Sequence, residues 1–169
     1  MLRALKTFVP WTLWLMLVAT ATFAVMVVWF PPPIQQPLTY NHVPHVDLGC
    51  DTCHKGVHTR ARAGLPDIGV CVDCHEQAPV KDAAEIAAWN QAVKDKHIRW
   101  RQLTWVRSHV YFSHQRHVEL AKLECVTCHG DMAKRTSPPP HPLKPISMDI
   151  CMDCHRQKKV TDDCARCHK

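Results

Sequence analysis

The hydrophobic pattern divides the chain into two unlike parts. Residues 11–30 form a continuous apolar run in which only Thr12, Thr20 and Thr22 are not apolar and nothing is charged. A helix of that length spans the hydrocarbon core of a bilayer. Arg3 and Lys6 precede it, and no acidic residue occurs before Asp47. That bias places the N-terminus on the cytoplasmic side and the remainder outside. Trp11, Trp14 and Trp29 stand near the ends of the run, where interfacial aromatics belong. A cleaved signal peptide with a small residue at Ala24 is the competing reading. The anchor is preferred because the apolar run continues from Val25 through Phe30.

Beyond the anchor (1–30), Pro31, Pro32, Pro33 and Pro37 mark residues 31–39 as a stiff extended spacer. A first cysteine-bearing module follows over 40–80, then a connector over 81–111, then a second module over 112–169. Within the connector, residues 82–100 carry Ile86, Trp89, Val93, His97 and Trp100 at helical spacing, which predicts one amphipathic helix. Residues 105–112 are an apolar, β-prone lead-in. The stretch from Ser137 through Pro142 has no helical option. The two modules open alike, with Tyr40-x-His42-x-x-His45 in the first and Phe112-x-His114-x-x-His117 in the second. This is an internal duplication. With only five glycines in the chain, little regular sheet is expected. The fold class predicted is mainly α with low secondary structure, on a single N-terminal transmembrane helix.

Composition sharpens this picture. The overall apolar fraction of 46 % is inflated by the first segment. Without the cysteines, only about a third of residues 31–169 are ordinary core formers. That is thin for a small domain, and large apolar cofactors would fill the interior.

All ten cysteines fall in five Cys-x-x-Cys-His motifs: Cys50/Cys53/His54, Cys71/Cys74/His75, Cys125/Cys128/His129, Cys151/Cys154/His155 and Cys164/Cys167/His168. Two thiols three positions apart on a helical turn can each form a thioether to a haem vinyl group. The histidine that follows then reaches the iron from the proximal side. Zinc ribbons pair two Cys-x-x-Cys elements per metal, and five pairs do not divide that way. Disulfides and iron–sulfur clusters leave the five histidines unexplained. Five covalently bound haem c groups are therefore expected.

Thirteen histidines less the five proximal ones leave His42, His45, His58, His97, His109, His114, His117 and His141. These suffice for every iron to be bis-histidine. His42, His45, His114 and His117 recur in the repeated frame, and His141 precedes a haem motif in the proline loop. His58, His97 and His109 compete as alternative distal ligands. One iron has room for one distal nitrogen, so the two histidines of each His-x-x-His must serve two irons. That sends His42 to the haem of His54 and His45 elsewhere, most simply to that of His75, and it sends His117 to a second haem beyond that of Cys125/Cys128. Saturated irons relay electrons and bind no substrate, so no catalytic residue is expected. Met132, Met148 and Met152 are poor rivals as ligands given the histidine supply. The basic stretch of Lys94, Lys96, Arg99, Arg101 and Arg107 reads as a partner surface or as compensation for haem propionates, and not as a nucleic-acid site. Trp89, Trp100 and Trp105 read as haem packing or a docking face.

The second module resembles the small trihaem class III cytochromes of the cytochrome c7 group. It shares aromatic-x-His-x-x-His, a Cys-x-x-Cys-His, a further loop histidine and two more motifs ending at His168-Lys169. That resemblance implies His114 opposite His129, His117 opposite His155, and His141 opposite His168. Residues 40–169 as a whole resemble the multihaem cytochrome subunit of alternative complex III and related quinone reductase complexes. The matching stretches are Ala63-Gly64-Leu65-Pro66 after the first motif, Trp100, Val110-Tyr111-Phe112-Ser113-His114, Cys125-Val-Thr-Cys128-His129-Gly130, and Met148 through His155. One departure is Thr104, which stands where that pattern usually has a histidine, and His97 or His109 would replace it. The resemblance implies an electron-transfer subunit of a quinol- or quinone-linked complex in the inner membrane, with its haem domain periplasmic. Its partners would be an iron–sulfur/molybdoenzyme-like subunit, quinone-binding membrane subunits and a periplasmic carrier. A stand-alone membrane quinol dehydrogenase and a multihaem oxyanion reductase are the rival expectations.

Overall fold

The computed structural model describes residues 2–29 and 32–169, with side chains from residue 11 in the first helix. The chain forms two compact units, residues 1–33 and 34–169.

The first unit is one helix, α1 (Leu2–Trp29). Its segment Trp11–Trp29 is long and apolar enough to cross a membrane, with a mean hydropathy of 2.0. Threonine hydroxyls of this segment turn back on the helix. Thr20 Oγ1 donates to Met16 O at 2.9 Å, and Thr22 Oγ1 to Val18 O at 2.8 Å. This back-bonding removes polar groups that apolar surroundings would penalise. Phe30 and Pro31 lie outside the described residues.

The second unit is mainly helical and sparse in regular structure. Its helices are α2 (Cys50–Cys53), α3 (Ile68–Val72), α4 (Ala83–Asp95), α5 (Cys125–His129), α6 (Met148–Gln157) and α7 (Cys164–Cys167). A 3-10 helix covers Val43–Leu48, and a π-helical turn covers Gln115–Leu120. The β-prone lead-in yields one isolated antiparallel bridge, Val110 to His168, among the described residues. Residues 34–39 are extended, yet they belong to this unit. Gln36 brackets Arg101, donating from Nε2 to its carbonyl (2.6 Å) and accepting its amide at Oε1 (2.9 Å), while Ile34 N donates to Pro140 O.

Helix α4 is shorter than its periodicity predicts. Asp82 opens it by accepting from Ala84 N and Glu85 N, both at 3.0 Å. It stops at Asp95, where Lys96 takes the left-handed conformation (φ 55°). Asp67 then captures the departing chain, accepting from Ile98 N at 3.2 Å and His97 Nδ1 at 2.5 Å. Those bonds hold the Asp67 carboxyl below its usual range. The buried face is Trp89 and Ala92; Val93 and His97 are exposed.

The protein's own hydrophobic core is small: Val57, Ile68, Trp89, Ala92 and Ile98. Leu38, Ala78 and Trp100 pack against it. The Trp89 ring stands edge-on to His75, 6.4 Å between centroids. Replacing Trp89 with Ala is expected to destabilise this module by about 3–5 kcal/mol. The check is the denaturation midpoint of the first-module haem absorbance.

Candidate haem-binding site

Each Cys-x-x-Cys-His motif is wound into a helical turn. His54 N, His75 N and His168 N donate to the carbonyls of Cys50, Cys71 and Cys164, at 2.8, 2.9 and 2.8 Å. The turn sets two thiols and an imidazole on adjoining positions. All ten cysteines are free thiols. Burial raises the pKa of Cys53, Cys71, Cys125, Cys128 and Cys151, keeping these groups protonated in apolar surroundings. Among the described residues no three His, Cys, Asp or Glu side chains converge to hold a metal ion.

The α5 motif is pinned at its C-terminus. Gly130 ends it at φ 72°, and a Cβ there would meet Leu143 Cβ at 2.8 Å. Lys144 Nζ donates to the carbonyls of Val126 and Thr127, both at 3.0 Å.

The histidines stand in facing pairs. Ring centroids are 6.3 Å apart for His114 and His129 (12° between planes), 6.2 Å for His117 and His155 (37°), and 6.1 Å for His45 and His75 (63°). His54 is close to His42, whose pKa is lowered by burial first, then by His54 and His45. Two nitrogens at about 2 Å from one metal, each backed by an imidazole ring, put the centroids roughly 6.4 Å apart. The spacings of these three pairs fit one iron between the two rings.

The second ring nitrogen supports the same geometry. Nδ1 of His45, His54, His117 and His155 faces the carbonyls of Asn41, Gly64, Ser113 and Thr161 at 2.8, 3.1, 2.8 and 2.6 Å. His114 Nδ1 faces Ala61 O at 3.1 Å, with Ala63 N–H at 3.2 Å. Donation from Nδ1 to a carbonyl leaves Nε2 as the free lone pair and fixes the ring's orientation.

The duplication is visible in the aromatics. The Tyr40 ring is 4.8 Å from His42 at 90° and 4.9 Å from His45 at 30°. The Phe112 ring is 4.8 Å from both His114 and His117, at 86° and 26°. Burial pushes the Tyr40 hydroxyl up to about 12, with Cys53 and Cys71 adding to the shift.

The last motif departs from the expected pairing. His141 is exposed in the proline loop. His109 instead stacks on His168, at 5.4 Å and 20°. Lys169 N donates to His109 O at 3.0 Å, and Tyr111 N to Cys167 O at 2.7 Å, so backbone straps both sides of this pair. The signal for His109 was its place in the apolar lead-in, five residues before His114. Its partner at the chain end gives no periodicity to read. The other two spare histidines are held by carboxylates. His58 Nδ1 is 2.9 Å from Glu119, with Asp51 at 3.9 Å from Nε2, and His97 is held by Asp67.

Thiol neighbours join the motifs into a series. Cys71 has Cys53 beside it, and Cys125 has Cys50 beside it. Cys128 has Cys154 beside it, and Cys151 has both Cys128 and Cys167.

Two family profiles match the chain. Residues 110–169 match the family described as cytochrome c7 and related cytochrome c. Residues 26–103 match the class III cytochrome c family. No curated protein matches the chain. The cysteine pairs, the facing imidazoles and both matched segments agree: residues 26–103 and 110–169 are class III-type multihaem cytochrome c domains, a class that implies electron transfer.

Proposed function

We propose that the chain is a pentahaem electron relay, held at the outer face of the inner membrane by α1, that serves a quinol- or quinone-linked complex. The observation that carries the relay is the set of histidine rings facing one another at four of the Cys-x-x-Cys-His motifs, with His42 near His54 at the fifth. Haem iron, when bound, supplies a one-electron couple. Around it this chain's residues have three tasks. The ten thiols attach the five groups. His54, His75, His129, His155 and His168 ligate from the motif side. His42, His45, His114, His117 and His109 close the opposite side and keep substrate and water off the metal.

Neighbouring thiols set the order of the relay. The motif of Cys71 and Cys74 is one end, followed by those of Cys50, Cys125 and Cys151, with Cys164 and Cys167 at the other end. Sequence order is thus inverted only between the first two motifs. The shared segments His42–His45 and His114–His117 each hold two consecutive sites together.

The apolar length of α1 and its self-satisfied threonines support the membrane anchor. Resemblance of residues 40–169 to the cytochrome subunit of alternative complex III supports a complex with iron–sulfur/molybdoenzyme-like and quinone-binding membrane subunits, passing electrons to a periplasmic carrier. The intact mass of the chain purified from membranes, with its EPR spectrum, tests the reading. Five haems, residues 11–29 retained and low-spin ferric signals alone are expected. Fewer haems, a start near Val25 or a stoichiometric high-spin signal would overturn the corresponding part. Co-purified subunits lacking a quinone-binding membrane protein would overturn the complex.

A further inference from the structure

Two buried side-chain nitrogens, His42 Nδ1 and Arg135 Nε, have no hydrogen-bond partner among the described residues. They belong to adjacent residues, because His42 N donates to Arg135 O at 2.9 Å. The five histidines whose Nδ1 finds a backbone carbonyl make His42 the exception within its own repeat: His114, its counterpart, has Ala61 O. The Arg135 side chain has no carboxylate partner, whereas Arg99, Lys134 and Arg156 do.

Both orphaned groups are donors. The guanidinium Nε–H is always protonated, and His42 Nδ1 carries the proton when Nε2 is turned to the iron. Leaving two such groups buried and unpaired is unfavourable, more so where one is charged. One anionic oxygen acceptor between them removes both penalties and neutralises the guanidinium. Resting on the pentahaem reading, we infer that Arg135 and His42 together hold a haem propionate. Nδ1–H points away from the metal that Nε2 faces, so the carboxylate belongs to a neighbouring haem. Arg135 follows the α5 motif in sequence and sits beside His42 of the first module. The contact therefore ties one haem's side chain to another haem's ligand across the junction of the modules.

The inference assigns Arg135 an electrostatic effect as well as a binding one. A fixed positive charge at a propionate favours the reduced form of the nearby iron. Hydrogen bonding from Nδ1 to an anion makes the His42 imidazole a stronger donor to its own iron.

Spectropotentiometric titration and EPR of the full five-haem chain test this with Arg135→Leu, Arg135→Gln and Arg135→Lys. In Leu and Gln, the midpoint potential of one haem should fall, and the low-spin g values of a second haem should shift. The Lys variant should recover most of the potential. Haem number by intact mass and the wild-type spin state report on the pentahaem reading separately, so the two can fail independently. Unaltered potentials in Leu and Gln would overturn the inference and assign the acceptor to water. A Lys variant that falls as far as Gln would overturn it too, by making the effect one of shape. If Leu does not mature, the Gln and Lys pair decides alone.

Discussion

Replacing Cys125 and Cys128 with Ala should abolish accumulation of the whole haem domain, whereas the same change at Cys164 and Cys167 should cost one haem and leave four. The asymmetry follows from position in the series. The Cys125 motif lies next to the first module at Cys50 and next to the following motif at Cys128 and Cys154. His129 faces His114, whose backbone N donates to Ala61 O across the modules at 3.0 Å. The Cys164 motif has one neighbour, at Cys151, and the terminal strap. The protein's own side chains do not compensate for a missing central group. None of the core residues lies beyond Ile98, and in the second module only Pro139 is buried. A domain whose aliphatic core is this small folds with its cofactors, as small metallo-domains do with metal. The measurement is covalent haem per chain by intact mass, with limited proteolysis of the 34–169 unit. Equal yields and equal protease resistance for the two double variants would refute the linear order.

The elements that repeat were legible in the sequence, and those made by a single contact were not. Five motifs with no spare cysteine carried the cofactor class directly, because thioether attachment demands that spacing. The Tyr40/Phe112 frame carried its geometry as well, since two imidazoles three positions apart diverge when the backbone is loosely turned. In the structure the His45 ring stands 6.1 Å from that of His75, and the His117 ring 6.2 Å from that of His155. Helix α4 ended early because Asp67, far away in sequence, competes for His97 and Ile98. Periodicity reports propensity within a segment and is blind to such a partner. Likewise Gln36 turns part of the proline-rich spacer into domain structure through two bonds to Arg101.

His109→Ala should convert one haem in five from low-spin to high-spin, and His141→Ala should leave every haem unchanged. Resemblance to the trihaem cytochromes favours the loop histidine, but the geometry favours the lead-in. His141 is solvent-exposed and makes no contact with His168, while His109 lies over it with nearly parallel planes. The 5.4 Å spacing is tighter than the roughly 6.4 Å that one metal between two imidazoles sets. The difference is about 1 Å, and the pair is held by a single bridge made of two backbone bonds. Small opening there displaces no core residue. Removing the distal imidazole leaves a five-coordinate or water-ligated ferric iron with a weaker ligand field. Thioether attachment at Cys164 and Cys167 is untouched, so haem number should stay at five. His109→Met should keep that haem six-coordinate and raise its midpoint potential, since thioether ligation favours the reduced state. Low-temperature EPR of the two alanine variants, with haem number by mass, decides the matter. A high-spin signal in His141→Ala and none in His109→Ala would restore the loop histidine as the ligand and reduce the His109 stack to packing.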